Sequence, residues 1–266
     1  MNPYKSERAL AYLYVIGCLS SLLTIICTSI LWLHWRVVLN TCAGNFQTYP
    51  SYYDERDCGC FLYASDTLSY FVGSNVGWCY FGAFGLILPL MFFFMLGCFH
   101  VFRVCFKNEG RPRAAKTEYS QRSNEVMHLT IEQELGEGNP ISPTYWMPTT
   151  LIASIMLIYS LIHAIILTDG FWKTCKQYRS RIVKYTNAQG GQMVGVLQHR
   201  LSCGAIFDFM DYLHEDLSYE RRRDYRINSA IPYYIALFGA WIACICLVGI
   251  IIINIRRYVD TKRIRI

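Results

Sequence analysis

Apolar residues fill four long stretches of the chain, and none of these stretches contains a charged side chain. The uncharged stretches are residues 9–35, 67–102, 138–168 and 227–255. About 20 apolar residues, each adding about 1.5 Å along a helix, cross a bilayer, so every stretch is long enough to do so. The pattern predicts four transmembrane helices, at about residues 9–33, 77–102, 146–167 and 232–255.

The composition and the placement of aromatic residues agree with this pattern. Hydrophobic residues make up 53% and charged residues 17% of the 266-residue chain, whereas a soluble domain carries about 25% charged residues. This composition excludes an ordinary soluble enzyme and an intrinsically disordered chain. Trp and Tyr residues lie near the ends of all four stretches, as is typical at the headgroup level of a membrane. We therefore predict an all-α membrane protein in which residues 1–266 form one four-transmembrane-helix bundle.

The net charge of +6 comes from basic residues that flank the hydrophobic stretches. A basic chain can bind nucleic acid, but here the clusters follow the second and fourth predicted spans, where they would meet anionic lipid headgroups. We predict that nucleic acid is not a partner. The predicted lipid-headgroup contacts are Arg103, Lys107, Arg256, Arg257, Lys262 and Arg263.

The segments between the predicted spans differ in their basic residues. The N-terminal segment, the loop at 103–144 and the C-terminal segment together hold 13 Lys and Arg, whereas the loop at 35–76 holds two. The loop at 169–230 holds ten, but long loops cross the membrane largely regardless of charge, so we discount it. The positive-inside rule then predicts cytosolic termini, a cytosolic loop at 103–144 and extracellular loops at 35–76 and 169–230. The first span is too long for a cleavable signal peptide, so we interpret it as an uncleaved signal anchor.

Half of the 12 cysteines lie in the two predicted extracellular loops or at their borders: Cys42, Cys58, Cys60, Cys79, Cys175 and Cys203. An even number on the oxidising side predicts disulfide-stapled loops, although six cysteines allow 15 connectivities. Cys58 and Cys60 form a C-x-C pair without a nearby His or C-x-x-C motif, which argues against a zinc site. Cys105 lies at a membrane border between Arg103 and Lys107, so it is a candidate for palmitoylation.

Several cysteine-containing segments carry a family resemblance. They are Cys60-Phe61-Leu62-Tyr63-Ala64, Cys79-Tyr80-Phe81 at the start of the second span, Cys175, Ser202-Cys203 and the last helix with Trp241. Together they resemble the transmembrane protein 179 family of four-span membrane proteins. The resemblance implies the disulfide pairs Cys60–Cys79 and Cys175–Cys203 and leaves Cys42–Cys58 as an additional pair. It implies no catalytic activity.

Motifs for catalysis and for ion coupling are missing from the sequence. It contains no nucleophile elbow, Walker loop or His-Glu-x-x-His motif. His34, His100 and His163 lie in or beside predicted spans, and an ionisable residue inside a membrane is a functional candidate by default. A proton relay needs several such groups in register, and no Asp, Glu, Lys or Arg lies within a predicted span. We predict a non-enzymatic protein with no catalytic residue, cofactor or metal.

Two functional hypotheses follow. In the first, the chain is a scaffold, an adhesion or junction component or an accessory subunit that contacts the lipid bilayer and other membrane proteins. The glycines in its spans permit close helix packing, within the bundle or against partner helices. In the second, it forms an oligomeric channel or pore, and the candidate hydroxyls of its first span are Ser20, Ser21, Thr24 and Thr28.

The C-terminal residues allow three interpretations. Ile264 and Ile266 are the apolar residues expected of a tail whose carboxylate is captured by a partner domain. Arg263-Ile264-Arg265 is similar to an ER-retention signal. In the third interpretation the basic tail only contacts anionic lipid, which requires neither a carboxylate-binding partner nor a retention receptor. We predict a plasma-membrane protein, with the ER and Golgi membranes as the alternative.

Overall fold

The computed structural model of the protein describes residues 3–38, 59–66, 71–105, 143–185, 203 and 229–264. These residues form five helices and two strands. In chain order they are α1 (Pro3–Val38), β1 (Cys60–Asp66), β2 (Phe71–Ser74), α2 (Val76–Phe84), α3 (Ile87–Cys105), α4 (Pro143–Tyr185) and α5 (Ala230–Ile264).

Four helical rods are long and apolar enough to cross a membrane: α1, α2 together with α3, α4, and α5. The protein is therefore an integral membrane protein with four candidate spans, as the hydrophobic pattern predicts. The 43 residues of α4 extend over about 65 Å at 1.5 Å per residue, far more than the thickness of a bilayer core. This helix continues to Tyr185, so residues 169–185, which we predicted as the start of a loop, are helical.

The second span is interrupted, which the hydrophobic pattern did not indicate. Helix α2 ends at Phe84 and α3 begins at Ile87, with Gly85 and Leu86 in a turn between them. An added Cβ at Gly85 would lie 2.7 Å from Cδ2 of His163, so no side chain fits there. Pro89 follows in the first turn of α3, where a missing N–H removes no hydrogen bond from the helix. Glycine and proline together fix the place of the interruption.

The helices do not all pack equally. Helix α1 packs along α3 on one side and α5 on the other, and α5 also packs along α4. Helices α3 and α4 approach each other much less, so the seam between them is the loosest of the bundle. An added Cβ at Gly239 of α5 would lie 2.9 Å from the backbone oxygen of Ser20 in α1. This glycine is therefore needed for the close approach of α1 and α5.

The other glycines of the spans also face side chains of the same chain. Their neighbours are Phe93 for Gly17, Leu62 for Gly82, His163 for Gly85, Tyr14 for Gly97 and Leu13 for Gly249. The sequence allowed these glycines to pack either within the bundle or against partner helices, and the structure shows packing within the bundle. The bulky residues of α5 face outward instead, with Phe238 and Ile245 each 67% exposed.

Strands β1 and β2 form an antiparallel hairpin in the segment that we predicted as the first extracellular loop. Cys60 pairs with Ser74 and Asp66 with Phe71, and the register is irregular between Cys60 and Ser65. This hairpin is a departure from the all-α prediction. Phe61, Leu62 and Ala64 are buried against one end of the helix bundle. We call that end the hairpin side and the opposite end, which carries Glu7 and Arg103, the termini side.

Two disulfides join the hairpin-side segments. Cys60 is bonded to Cys79 at the start of α2, and Cys175 of α4 is bonded to Cys203. These are the two pairs expected in the sequence analysis. Cys42 and Cys58, the third predicted pair, lie outside the described residues, as do Lys107 and Ile266.

Candidate functional site

The hairpin is attached to α4 by polar contacts that are buried from solvent. The hydroxyl of Thr174 accepts a hydrogen bond of 3.1 Å from the N–H of Ala64 and donates one of 2.8 Å to the carbonyl of Phe61. Asp66 ends β1 with a side chain that is 2% exposed. Its carboxylate lies 3.3 Å from Nη1 of Arg181 and 2.6 Å from Nζ of Lys184. Helix α4 therefore holds β1 at both ends.

Tyr63 is the one residue other than glycine with a positive φ, 59°, among the described residues. A left-handed conformation costs a non-glycine residue about 1–2 kcal/mol, so its neighbours must hold it in place. Its hydroxyl donates to the carbonyl of Ile166 at 3.4 Å, and its ring lies 5.1 Å from that of Trp78 and 5.0 Å from Nζ of Lys173. Burial, followed by the nearby Asp169 carboxylate, raises the pKa of Tyr63 to about 12. The phenol therefore stays neutral at physiological pH.

The hairpin closes the end of the bundle. The ring of Phe61 packs edge-on against Tyr233 at 5.7 Å, and Tyr233 stacks on Phe171 at 4.4 Å. The hydroxyl of Tyr233 donates to the carbonyl of Leu167 at 2.9 Å. Beneath Leu62 there is a gap bordered by Thr28, Gly82 and Leu167, among others, and it is too small for a water molecule. The described residues around Leu62 therefore leave no room for water at this end of a single bundle.

His163 supports the interruption between α2 and α3. The last carbonyls of a helix have no helical donor, and inside a bilayer no water replaces one. The carbonyl of Gly82 is in this position, and Nε2 of His163 donates to it at 3.0 Å. A carbonyl can only accept, so the imidazole is the Nε2–H tautomer. Of the three histidines that we identified as candidates, this one has a defined structural contact in the membrane interior.

The hydroxyls that we assigned to a possible pore lie inside the bundle. Thr24 donates to the carbonyl of Ser20 at 2.9 Å and of Ala236 in α5 at 3.2 Å. Thr28 donates to the carbonyl of Thr24 at 2.6 Å, and Ser20 to that of Gly17 at 3.0 Å. Ser21 is fully buried. Three of these four hydroxyls therefore bond to backbone, and Thr24 joins α1 to α5.

On the termini side, Glu7 joins three helices. Its carboxylate oxygen Oε1 lies 3.4 Å from Nη2 of Arg103 in α3 and 3.5 Å from Nη2 of Arg257 in α5. The three side chains are 13%, 13% and 14% exposed, in the order Glu7, Arg103 and Arg257. Two of the six predicted headgroup contacts thus also make an internal ion-pair network. Arg256 is exposed, and the side chains of Lys262 and Arg263 lie outside the described part.

Other candidate residues occupy separate places. His34 is buried beside Trp35 on the hairpin side, with the rings 5.2 Å apart. Cys105 is an exposed free cysteine at the end of α3, which leaves its palmitoylation a prediction. The side chain of Ile264 lies outside the described residues. Among those that are described, no three His, Cys, Asp or Glu residues come close enough together to hold a metal ion.

Glu7 and Asp66 are the important residues that sequence reasoning missed. Each is a single acid next to a hydrophobic stretch, and neither forms a motif with its partners in the sequence. A signal did exist for Asp66, since Arg181 and Lys184 are three residues apart and share a helix face. The distance of 115 residues between Asp66 and Arg181 concealed the ion pair.

Comparisons with protein-family models, with curated proteins and with solved structures found no match to this chain.

Proposed function

We propose that the chain is a non-enzymatic four-span scaffold, which acts as an adhesion or junction component or an accessory subunit of other membrane proteins. The observation that carries this proposal is the closed hairpin side, where Phe61 and Leu62 fill the end of the bundle and Asp66 fixes β1 to α4. A rigid, disulfide-bonded surface at the membrane border is what a partner protein needs in order to bind without folding costs.

The disulfides support an orientation. Because disulfides persist outside the cell and in the ER lumen, the hairpin side faces the exterior or the lumen, and both termini face the cytosol. Our proposal takes the plasma membrane as the site of action. A tag after Ile266 should be reached by antibody only after permeabilisation. Staining of intact cells would overturn this orientation, and staining confined to internal membranes would favour the ER or Golgi.

The resemblance to the transmembrane protein 179 family belongs to the same proposal. A four-span family without known catalysis agrees with a scaffold. The resemblance implies the pairs Cys60–Cys79 and Cys175–Cys203, and the structure contains both disulfides.

The alternative, an oligomeric pore, would require a polar path. Within one bundle the hydroxyls of Ser20, Thr24 and Thr28 already donate to carbonyls, and the gap beneath Leu62 excludes water. A pore would therefore have to form between copies of the chain, where α5 presents Phe238 and Ile245. Those side chains are apolar, which favours the scaffold.

Quantitative purification from mildly solubilised membranes tests the proposal. A scaffold should retain another integral membrane protein at a constant molar ratio. Asp66→Asn, which releases the hairpin from Arg181 and Lys184, should reduce that ratio at least fivefold. Lys176→Gln, at an exposed lysine of α4, should leave it unchanged. A chain that purifies only as a homo-oligomer would contradict the scaffold and favour the pore.

A further inference from the structure

A buried histidine near the termini side lacks a hydrogen-bond partner. His100 of α3 is 1% exposed, and neither of its ring nitrogens has a partner among the described residues. Its ring stacks on that of Tyr14 at 5.3 Å, and the ring of Tyr145 lies 6.4 Å away. An unpaired polar group in a bilayer is costly, so a buried imidazole without a partner requires an explanation.

Several side chains that can donate hydrogen bonds surround this histidine. Tyr14 and Tyr145 contribute hydroxyls, and the side chain of Asn254, which is 1% exposed, lies next to the hydroxyl of Tyr14. Arg103 is one helical turn from His100 along α3 and shares its face. A group rich in acceptor oxygens matches this set, because hydroxyl, amide and guanidinium groups all donate to it.

The loose seam between α3 and α4 leads from the lipid to this cluster. The two rods make ring contacts near its two ends, between Phe81 and Tyr159 at 5.9 Å and between Phe99 and Tyr145 at 5.8 Å. Phe99 is 41% exposed and its ring lies 5.3 Å from that of His100. Phe99 therefore lies between the lipid and one side of His100.

Basic residues outnumber acidic ones on the termini side of the bundle. The described residues at this end of α1, α3 and α5 include five basic side chains and two acidic ones. The basic residues are Lys5, Arg8, Arg103, Arg256 and Arg257, and the acidic ones are Glu7 and Asp260. His100 lies three residues further into the membrane than Arg103, which is about 4.5 Å along the helix. A lipid whose phosphate lies beside Arg103 would therefore have its glycerol ester oxygens near the depth of His100.

We propose that the α3–α4 seam binds one anionic glycerophospholipid, whose acyl chains lie between the two helices and whose ester and phosphate oxygens accept hydrogen bonds from the His100 cluster. The apolar walls of the seam hold the chains, and the excess of basic residues holds the headgroup. The site is distinct from general headgroup contacts of exposed residues such as Arg256, because it recognises one lipid molecule at one buried histidine.

Native mass spectrometry of the full chain in detergent tests this proposal with three probes: dioleoylphosphatidylserine, dioleoylphosphatidylcholine and water-soluble glycerophosphoserine. We expect one phosphatidylserine to bind about tenfold more tightly than phosphatidylcholine, the factor that one or two charge-assisted hydrogen bonds supply. Glycerophosphoserine, which lacks acyl chains, should not bind. Equal binding of the two lipids, or equal binding of the soluble headgroup, would overturn the proposal.

Variants and cross-linking locate the site. His100→Leu should weaken the binding of both lipids about tenfold, because both carry the ester and phosphate oxygens, whereas His34→Leu, at a buried histidine of the hairpin side, should leave both affinities unchanged; a folded His100→Leu chain with full affinity contradicts the site. His100→Gln keeps a donor and an acceptor and should retain most of the affinity even if the leucine variant does not fold. In the unaltered chain, a phosphatidylserine with a photoreactive headgroup should label residues 96–105 or 143–150, and labelling elsewhere alone would exclude the seam.

Discussion

Nε2 of His163 in α4 donates a 3.0 Å hydrogen bond to the carbonyl of Gly82, close to the end of α2. This contact lets the second span break inside the membrane, because it supplies a donor where the helix no longer does. The same helix α4 holds the hairpin through Thr174 and Asp66. One helix thus positions both the interruption and the strands that cover it.

Replacing His163 tests the role of this hydrogen bond. His163→Leu leaves the buried Gly82 carbonyl without its donor and should lower the free energy of unfolding by about 1–3 kcal/mol. His163→Gln can still donate and should lose less. Ile162→Ala, at the neighbouring lipid-facing position that is 48% exposed, is the control and should change little. Unfolding in mixed detergent micelles measures all three; equal effects of the leucine and glutamine variants would argue against the bond.

Two glycines of α5 permit a matched test of helix packing. The Cβ of Gly239→Ala would clash with the hydroxyl of Thr24 and lie 2.9 Å from the Ser20 backbone oxygen, and we expect a loss of about 1–3 kcal/mol. In Gly249→Ala the new atom meets the end of the flexible Leu13 side chain at 3.0 Å, which can move. The thermal midpoint in detergent should fall clearly for the first variant alone. Similar midpoints for the two variants would show that α1 and α5 leave room for a methyl group at Gly239.

Asp66 anchors the hairpin. Asp66→Asn removes a charge that is 2% exposed and lies against Arg181 and Lys184, so the hairpin should detach from α4 at a cost of about 2 kcal/mol. Limited proteolysis of intact vesicles should then cut near the hairpin several-fold faster. Lys176→Gln, at an exposed lysine of α4, is the control and should leave the cleavage rate unchanged. Unaltered cleavage of the asparagine variant would refute the anchor.

Loss of the first disulfide should affect delivery to the cell surface. Cys60→Ser frees the hairpin from α2, and removal of a native disulfide typically costs about 2–5 kcal/mol. The variant should be retained inside the cell, as surface biotinylation can measure. Cys18→Ser, at a free cysteine, should reach the surface normally. Normal delivery of both variants would mean that the disulfide is dispensable for folding.

The hydrophobic pattern predicted most of the helical architecture, because length and charge alone decide whether a helix can cross a bilayer. It predicted the four spans, whereas the two disulfide pairs that the structure describes were implied only by the family resemblance. The break at Gly85 was missed because a single Gly and a Pro in an apolar run are also tolerated in continuous membrane helices. The helical extension to Tyr185 was missed because its polar residues are typical of a loop as well as of a solvated helix.

The functional residues were harder to predict than the spans. Asp66 and Glu7 act through partners that are distant in sequence, and a single sequence contains no record of such pairs. The irregular strand around Tyr63 depends on contacts with Ile166 and Trp78, which no local pattern encodes. His163 was identified by the cost of a titratable group in a membrane, but its partner, a carbonyl at a helix end, became apparent only with the break.

The conductance of the purified chain in planar bilayers tests the central claim, that this is a closed, non-conducting scaffold, most directly. The filled hairpin side and the occupied hydroxyls of Thr24 and Thr28 predict currents no larger than those of protein-free lipid, at any protein density. Unitary currents that change in size when Thr24 or Thr28 is replaced by Val would contradict the claim and assign the chain to a pore.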